Sequence, residues 1–523
     1  MAYTPLTFRS VAFSEEAFLS EIAKASGAPV EAPADQARYL ASYLKNPEAG
    51  ARTILIEAPY IDRHYLEEFT GYYASALRAP PSHAVRLHFF RKEWGTSATE
   101  ALLDQLSREG PEQTSSSLRD DYLGFIVVRP LPSAPIGRTV LRPYRNPDKP
   151  RCFEPANTQH DVHLLGLTLR VPGLPFQQQD QGVGACATTA LWSALARVAR
   201  ADGARAVTPL AVTLAATRTL ALGRAFPANK GLDRSQILEA IRHVGYAPEI
   251  LNSFGAPTLF QLALKCYVRS GIPVILNLAS TQWQENHAVT VVGYREDLSD
   301  SATTEIRYNQ KGLSFGLRSR GLARLFVHDD RFGPYARMTW VLPTNGDTDS
   351  DGDTDDKVKE LPHLSFDPYG NRDAFKNFLD PVKVYEAYVP LYPKLRMSAT
   401  DLTLLASQLL PMVRHLAGAE RRESLLVDLR FVLNGRYLSE AYGLGLSSAR
   451  TATLVSTLLL PRYIGVIRFS TASSHFLDVL CDTTDIPRTQ PELAPVLAFV
   501  PQDEGHREAL RTFANSSGSA VVI

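Results

Sequence analysis

The sequence predicts a mixed α/β protein built as three blocks. The chain has 523 residues, which at roughly 100–200 residues per domain implies two to four domains. Stretches with helical spacing alternate with short β-branched runs, and two shifts in composition interrupt that alternation. Hydrophobic residues make up 45% and charged residues 21%, so each block has enough apolar side chains to bury a core. Lys+Arg and Asp+Glu number 55 each. That zero balance gives no bulk positive charge for nucleic acid or an anionic membrane, and neither is expected as a partner.

The acidic segment TNGDTDSDGDTDDKVKE, residues 344–360, has no apolar residue before Val358 and predicts a flexible linker. A softer boundary near 145–160 lies in RPYRNPDKPRCFEPANTQ, where prolines mix with charge and no periodicity shows. The expected organisation is an N-terminal α/β domain at 1–160, a central domain at 161–343, the linker, and a C-terminal α/β domain at 361–523. In the first block, Ala37 to Leu44 and Tyr65 to Leu77 read as helices. AVRLHFF, YLGFIVVRPL and the end of PLPSAPIGRTVL read as strands. The second opens with HLLGLTLRV, expected as one strand. A Gln- and Gly-rich loop leads into the helix ATTALWSALARVAR, followed by a helix at Ser235 to Val244 and strands at Pro273 to Leu278, Ala288 to Gly293 and Leu325 to Val327. In the third, DLTLLASQLLPMVRHLAG and ESLLVDLRFVL are expected as helices, and YIGVIRFS, FLDVLCD and PVLAFV as strands. No internal repeat is visible, and the final ANSSGSAVVI is expected as a loosely held tail.

Chemistry concentrates in QQQDQGVGACATTALWSALARV, which puts Cys186 where a Gly-rich loop meets the start of an apolar-faced helix. The positive end of the helix dipole favours thiolate there. Gly182, Gly184 and Ala185 allow close backbone approach, so the Cys186 N–H is one candidate oxyanion donor and the Gln181 side chain the second. A thiolate nucleophile needs an imidazole. ENHAVTVVGY presents His287 at the head of a β-branched run whose Gly293-Tyr294 pair is expected to turn the chain. ARLFVHDDRF offers Asp329 after the next strand to orient the ring, with Asp330 as competitor. Alternation along a strand would send the two carboxylates to opposite faces, which favours Asp329.

These segments resemble the papain-like cysteine peptidase superfamily, and most closely its branch of bacterial double-glycine leader peptidases. The matching features are Gln181, Cys186, His287-Ala-Val with Gly293-Tyr294, and Asp329, in that chain order across roughly residues 165 to 342. The resemblance implies a papain-like core and a thiol-dependent hydrolase that cuts a peptide or isopeptide bond in a polypeptide substrate, with no cofactor or metal. Gln181 and Gln179 both remain candidates for the oxyanion donor. Two other functions stay open: a different acyl transfer on the same residues, transglutaminase-like or deamidating, and a non-catalytic adaptor that keeps the fold as a recognition surface.

Other features carry weaker signals. Cys152, Cys266 and Cys481 show no CxxC spacing and are expected as bystanders, and the scarcity of cysteine points to a reducing, cytoplasmic setting. The cluster His475, Asp478, Cys481, Asp482 and Asp485 lacks metal-ligand spacing. Asp347, Asp349, Asp351 and Gly352 imitate the start of a calcium loop, but Val358 stands where a bidentate Glu is required. The basic run from Arg138 to Arg151 is expected as an exposed loop. The N-terminal residues do not form a secretory signal, and no uncharged apolar run reaches the 18 residues of a membrane span.

Overall fold

A computed structural model describes residues 5–29, 34–144, 150–180, 185–218, 231–254, 256–279, 286–299, 303–310, 313–341, 361–367, 381–421, 424–443, 446–458, 460–472, 474–484, 495–502, 505–517 and 520–523. Among these, helices and strands mix throughout, and none of the helices is long and apolar enough to cross a membrane. The acidic segment 344–360, with its calcium-loop-like run, lies outside the described residues, as do Gln181 and Asp485.

The chain begins with β1 (Thr7–Ala12), α1 (Glu15–Ser26), α2 (Asp35–Lys45), β2 (Thr53–Tyr60), α3 (Arg63–Gly71), β3 (Ala84–Phe90), α4 (Ala98–Glu109), α5 (Pro111–Ser117), β4 (Tyr122–Val128) and β5 (Ile136–Leu141). Its five strands form an antiparallel meander in sequence order. The expected strand HLLGLTLRV is a hairpin, β6 (Gln159–Leu164) and β7 (Leu167–Pro172), turned by Leu165 and Gly166 at φ 49° and 82°. A two-residue turn with both φ positive matches the twist of its strands, and Gly166 supplies one such position at no steric cost. Val162, Leu164, Leu169 and Val171 of the hairpin pack with Tyr65 and Phe125 of the first block.

The central block runs α6 (Cys186–Ala201), α7 (Pro209–Ala216), α8 (Arg234–His243), β8 (Ala247–Asn252), α9 (Pro257–Arg269), β9 (Val274–Ala279), β10 (His287–Glu296), β11 (Thr303–Gln310), β12 (Leu313–Arg320), β13 (Leu322–Asp329) and β14 (Gly333–Val341). Beyond the acidic segment come β15 (His363–Phe366) and β16 (Val382–Leu391). The sheet order is β15-β14-β13-β10-β9-β16-β8, and a short β15–β16 pairing closes six of these strands into a barrel. Two strands from the range expected to form the C-terminal domain, neither of them foreseen, therefore complete the central sheet. β16 lies between β9 and β8, paired along Lys383 to Tyr388 on one side and Glu386 to Leu391 on the other. Nor does Gly293 end its strand: β10 runs through it. A Cβ there would lie 2.4 Å from the Phe153 ring and 2.6 Å from the Cys152 carbonyl oxygen, so only glycine lets that segment cross.

The remainder contains α10 (Ala399–Arg421), β17 (Leu426–Leu433), α11 (Asn434–Gly443), α12 (Ser448–Thr457), β18 (Tyr463–Ser470), β19 (His475–Asp482), β20 (Val496–Pro501), α13 (Gly505–Ser517) and β21 (Val521–Val522). ESLLVDLRFVL was expected as a helix, but its core is β17. Val427, Leu429 and Phe431 alternate with Asp428 and Arg430, which pair with Arg269 at 2.7 Å and Glu440 at 2.6 Å. A Leu-rich run fits both periods, and here the period of two wins. The C-terminus is also docked: β21 adds parallel to β20, and the Arg450 guanidinium donates to the Ile523 carbonyl oxygen at 2.8 Å. The two outer sheets share an arrangement the linear sequence hides. VRLHFF of β3 and VDLRFV of β17 are each followed by two helices and then by Tyr-x-Gly, Tyr122 to Gly124 and Tyr463 to Gly465. In both sheets the glycine sits opposite the phenylalanine, Phe89 or Phe431.

Candidate active site

Cys186 is the first residue of α6 and is half-buried. The residue before it, Ala185, has no side chain able to cap the helix, so the N–H groups of the first turn are left to other acceptors. Trp192, Leu191 and Leu195 are fully buried in α6, which packs against β9, β10, β13 and β16 of the barrel. Thr290 of β10 donates its hydroxyl to the Ala190 carbonyl oxygen at 2.8 Å, which fixes the strand carrying His287 against the helix carrying Cys186. Both side chains line a cleft of about 450 Å³, together with Asn277, Asp233, Glu386 and Tyr388.

His287 Nε2 lies 2.9 Å from Asp329 Oδ1. Asp329 is the last residue of β13. It accepts three further bonds from Arg331: the backbone N–H at 3.0 Å, Nε at 3.2 Å and a terminal guanidinium nitrogen at 3.0 Å. Asp330 does not point away. Its Oδ1 is 3.6 Å from the same ring nitrogen, because β13 has ended and strand alternation no longer governs the turn. The alternating residue is His328, whose buried ring faces Ser193 of α6 at 3.3 Å and Tyr335, and whose proton affinity is lowered by burial to about 3.

Burial alone would lower the proton affinity of His287, and Arg331 opposes protonation too. The Asp329 and Asp330 carboxylates, with the Asp329 hydrogen bond, outweigh both and push it up to about 10. For Asp329, burial acts upward but Arg331 and His287 hold the carboxyl well below its usual range. Asp330 goes the other way: burial, with Asp329 adding to it, pushes it up to about 6 against His287 and Arg331. His287, Asp329 and Asp330 place their ligand-type atoms within 4.8 Å of one another. The Arg331 guanidinium already serves as the cation on both oxygens of Asp329, so the donor set fits an ion-pair cluster better than a metal site.

The sequence matches no protein-family model and no curated protein sequence.

Sequence reasoning missed how the site is held from outside. The segment before Cys186 hangs from the first block: Phe176 bridges Thr139, and Gln178 donates its backbone N–H to the Ile136 carbonyl oxygen at 3.0 Å and accepts the Ile136 N–H on its side-chain oxygen at 3.2 Å. Arg129, fully buried, donates to Glu68 and Asp180 at 3.2 Å each and to the Gln178 and Ala134 carbonyl oxygens at 3.0 and 3.1 Å. Gln177 donates to Glu68 at 2.6 Å, so it and Gln178 are committed, while Gln179 is exposed. The other side of the site is held too. Gln36 donates to the Asp330 carbonyl oxygen at 2.9 Å, and Tyr39 to that of Pro334 at 3.0 Å.

The remaining candidates have ordinary places. All four cysteines are free thiols. Cys266 and Cys481 are buried, and Cys152 forms a backbone bridge to Tyr294. Asp478 is occupied by Arg468 at 2.8 and 2.7 Å, by His475 at 2.9 Å and by Tyr437 at 3.1 Å, which makes that cluster a satisfied ion pair. In the basic run, Arg138 pairs with buried Asp62 at 2.7 Å and Arg151 with Glu48 at 3.1 Å; these arginines are tied into the fold, contrary to the exposed loop expected there.

Proposed function

We propose that this protein is a cysteine peptidase with a papain-like central unit, hydrolysing a peptide or isopeptide bond of a polypeptide substrate. The observation that carries the proposal is the placing of Cys186 at a helix start in one cleft with His287, whose Nε2 is bound by buried Asp329. A helix packed on a closed barrel agrees with a papain-like arrangement, and four free thiols agree with a reducing, cytoplasmic setting.

In this mechanism the Cys186 thiol passes its proton to His287, and the resulting thiolate attacks the scissile carbonyl carbon. With Nε2 engaged by Asp329, protons move through Nδ1 of His287: the imidazolium gives its proton to the leaving nitrogen as the C–N bond breaks, and a thioester remains on Cys186. Water then attacks the thioester, His287 takes its proton, and the acid product leaves. Asp329 keeps the ring in register, and the Cys186 N–H together with Gln181 or Gln179 would stabilise the oxyanion.

Labelling with a peptide-like electrophile, read by intact mass, tests the proposal. The wild type is expected to take one label near neutral pH and Cys186→Ser none. His287→Ala should slow labelling by about 10²-fold or more while keeping the fold. A native protein that resists labelling while its denatured form accepts it would remove Cys186 as the nucleophile.

A further inference from the structure

The cluster behind His287 holds one more carboxylate than a Cys-His-Asp arrangement uses. Asp329 touches the ring, but it also carries Arg331, whose guanidinium meets both of its oxygens. The two form a neutral pair. A protonated His287 beside that pair leaves one positive charge in a site where His287, Asp329 and Asp330 are all nearly inaccessible to solvent. Asp330 is the remaining charge: 3.6 Å from Nε2, 3% exposed, with neither oxygen accepting a hydrogen bond from another described residue. Gln36 fixes its backbone from α2, so its position does not depend on the ring.

We propose that Asp330 is a positioning residue that supplies the net counter-charge to the His287 imidazolium, while Asp329, neutralised by Arg331, orients the ring. This division of labour rests on the peptidase reading: it explains how the site keeps the leaving-group proton on His287 at neutral and mildly alkaline pH. Two carboxylates and one guanidinium sum with the imidazolium to zero, so a buried site can hold the charged ring without the large cost of an uncompensated ion. Among the described residues, the other charged or titratable groups that line the cleft with His287 are Cys186 on α6, Asp233 and Arg234 on α8, and Glu386 and Tyr388 on β16. Arg234 lies 3.7 Å from Glu386, so their charges offset each other. Asp233 caps α8 by accepting from the Gln236 N–H at 2.9 Å. The raised proton affinity of His287 agrees with two carboxylates acting on it.

The test is the titration of the His287 ring, followed by NMR of ring-labelled full-length protein, in the wild type, Asp330→Asn and Asp330→Glu. The wild-type ring should carry protons on both nitrogens at pH 8. In Asp330→Asn its midpoint should fall by about one pH unit or more, and in Asp330→Glu it should return most of the way. A midpoint unchanged in Asp330→Asn overturns the proposal. If Asp330→Asn fails to fold, the wild type still decides, because a neutral ring at pH 8 overturns it as well. Electrophile labelling of Cys186 separates the two proposals. A ring that shifts as expected in a protein whose native thiol takes no label would retain the charge assignment and reject the peptidase.

Discussion

His287 lies against two carboxylates and a guanidinium, and the pH dependence of stability at this residue follows from that company. Its folded proton affinity, about 10, lies above the ordinary value near 6.5. The folded state therefore holds the proton more tightly than the unfolded state does. The stability this contributes is fully present below about pH 6.5 and is lost as pH rises towards 10. Asp329 has the opposite sign: its depressed carboxyl contributes stability at neutral pH that disappears only in strong acid. The urea midpoint of the wild type should exceed that of His287→Gln most at pH 6, and the gap should narrow at pH 8 and again at pH 10. A constant gap would mean that the ring contributes packing alone. At this scale much was legible in the sequence. The places of Cys186 and His287 were readable because an apolar-faced helix after a Gly-rich run and a β-branched strand each leave a local pattern. Asp330 was not, because its direction depends on where β13 stops, and strand alternation applies only up to that point.

The elements that hold the site come largely from outside the block that carries it. α3 and β4 contribute Glu68 and Arg129, and the segment after β7 contributes Gln177, Gln178 and Asp180. Burial pushes the Glu68 carboxyl up to about 7 even with Arg129 beside it, so this guanidinium compensates carboxylates that have no solvent to fall back on. Arg129→Met should destabilise the protein by about 3–5 kcal/mol in urea unfolding, because it strands the buried carboxylates. It should also slow electrophile labelling of Cys186, because residues 176–180 stand a few positions before the thiol in the chain. Adding Glu68→Gln and Asp180→Asn should restore most of the stability. A triple variant no more stable than the single one would show that shape, not charge, makes Arg129 necessary. None of this was readable beforehand, since the partners stand 51 and 61 residues from Arg129 and belong to no motif. Gln177, Gln178 and Asp180, buried close after Phe176, require partners that only another part of the fold supplies.

On the scale of the whole molecule, the acidic segment 344–360 suggested a boundary that the sheet crosses. Composition reports what a stretch cannot bury, but it is silent on which strands pair across it. β15 joins β14 from Met338 to Val341, and β16 joins β9 from Val274's neighbour Ile275 to Ala279, so the barrel is built from both sides of that segment. The outer contacts extend the same interlock: Arg436 binds Glu154 at 2.9 and 3.0 Å, and the Ser270 hydroxyl accepts the Phe431 N–H at 2.7 Å. An inserted protease site near residue 350 provides a test, since cutting there removes one peptide bond and leaves every strand pairing in place. The two pieces should elute together from a sizing column at the size of the uncut chain, and Cys186 should keep its labelling rate. They should separate only at urea concentrations that also unfold the barrel, because β16, bonded on both edges, cannot leave without opening the central sheet. Pieces that drift apart in native buffer would mean that β15 and β16 dock weakly and that 361–523 behaves as a separate domain, as the composition alone suggested.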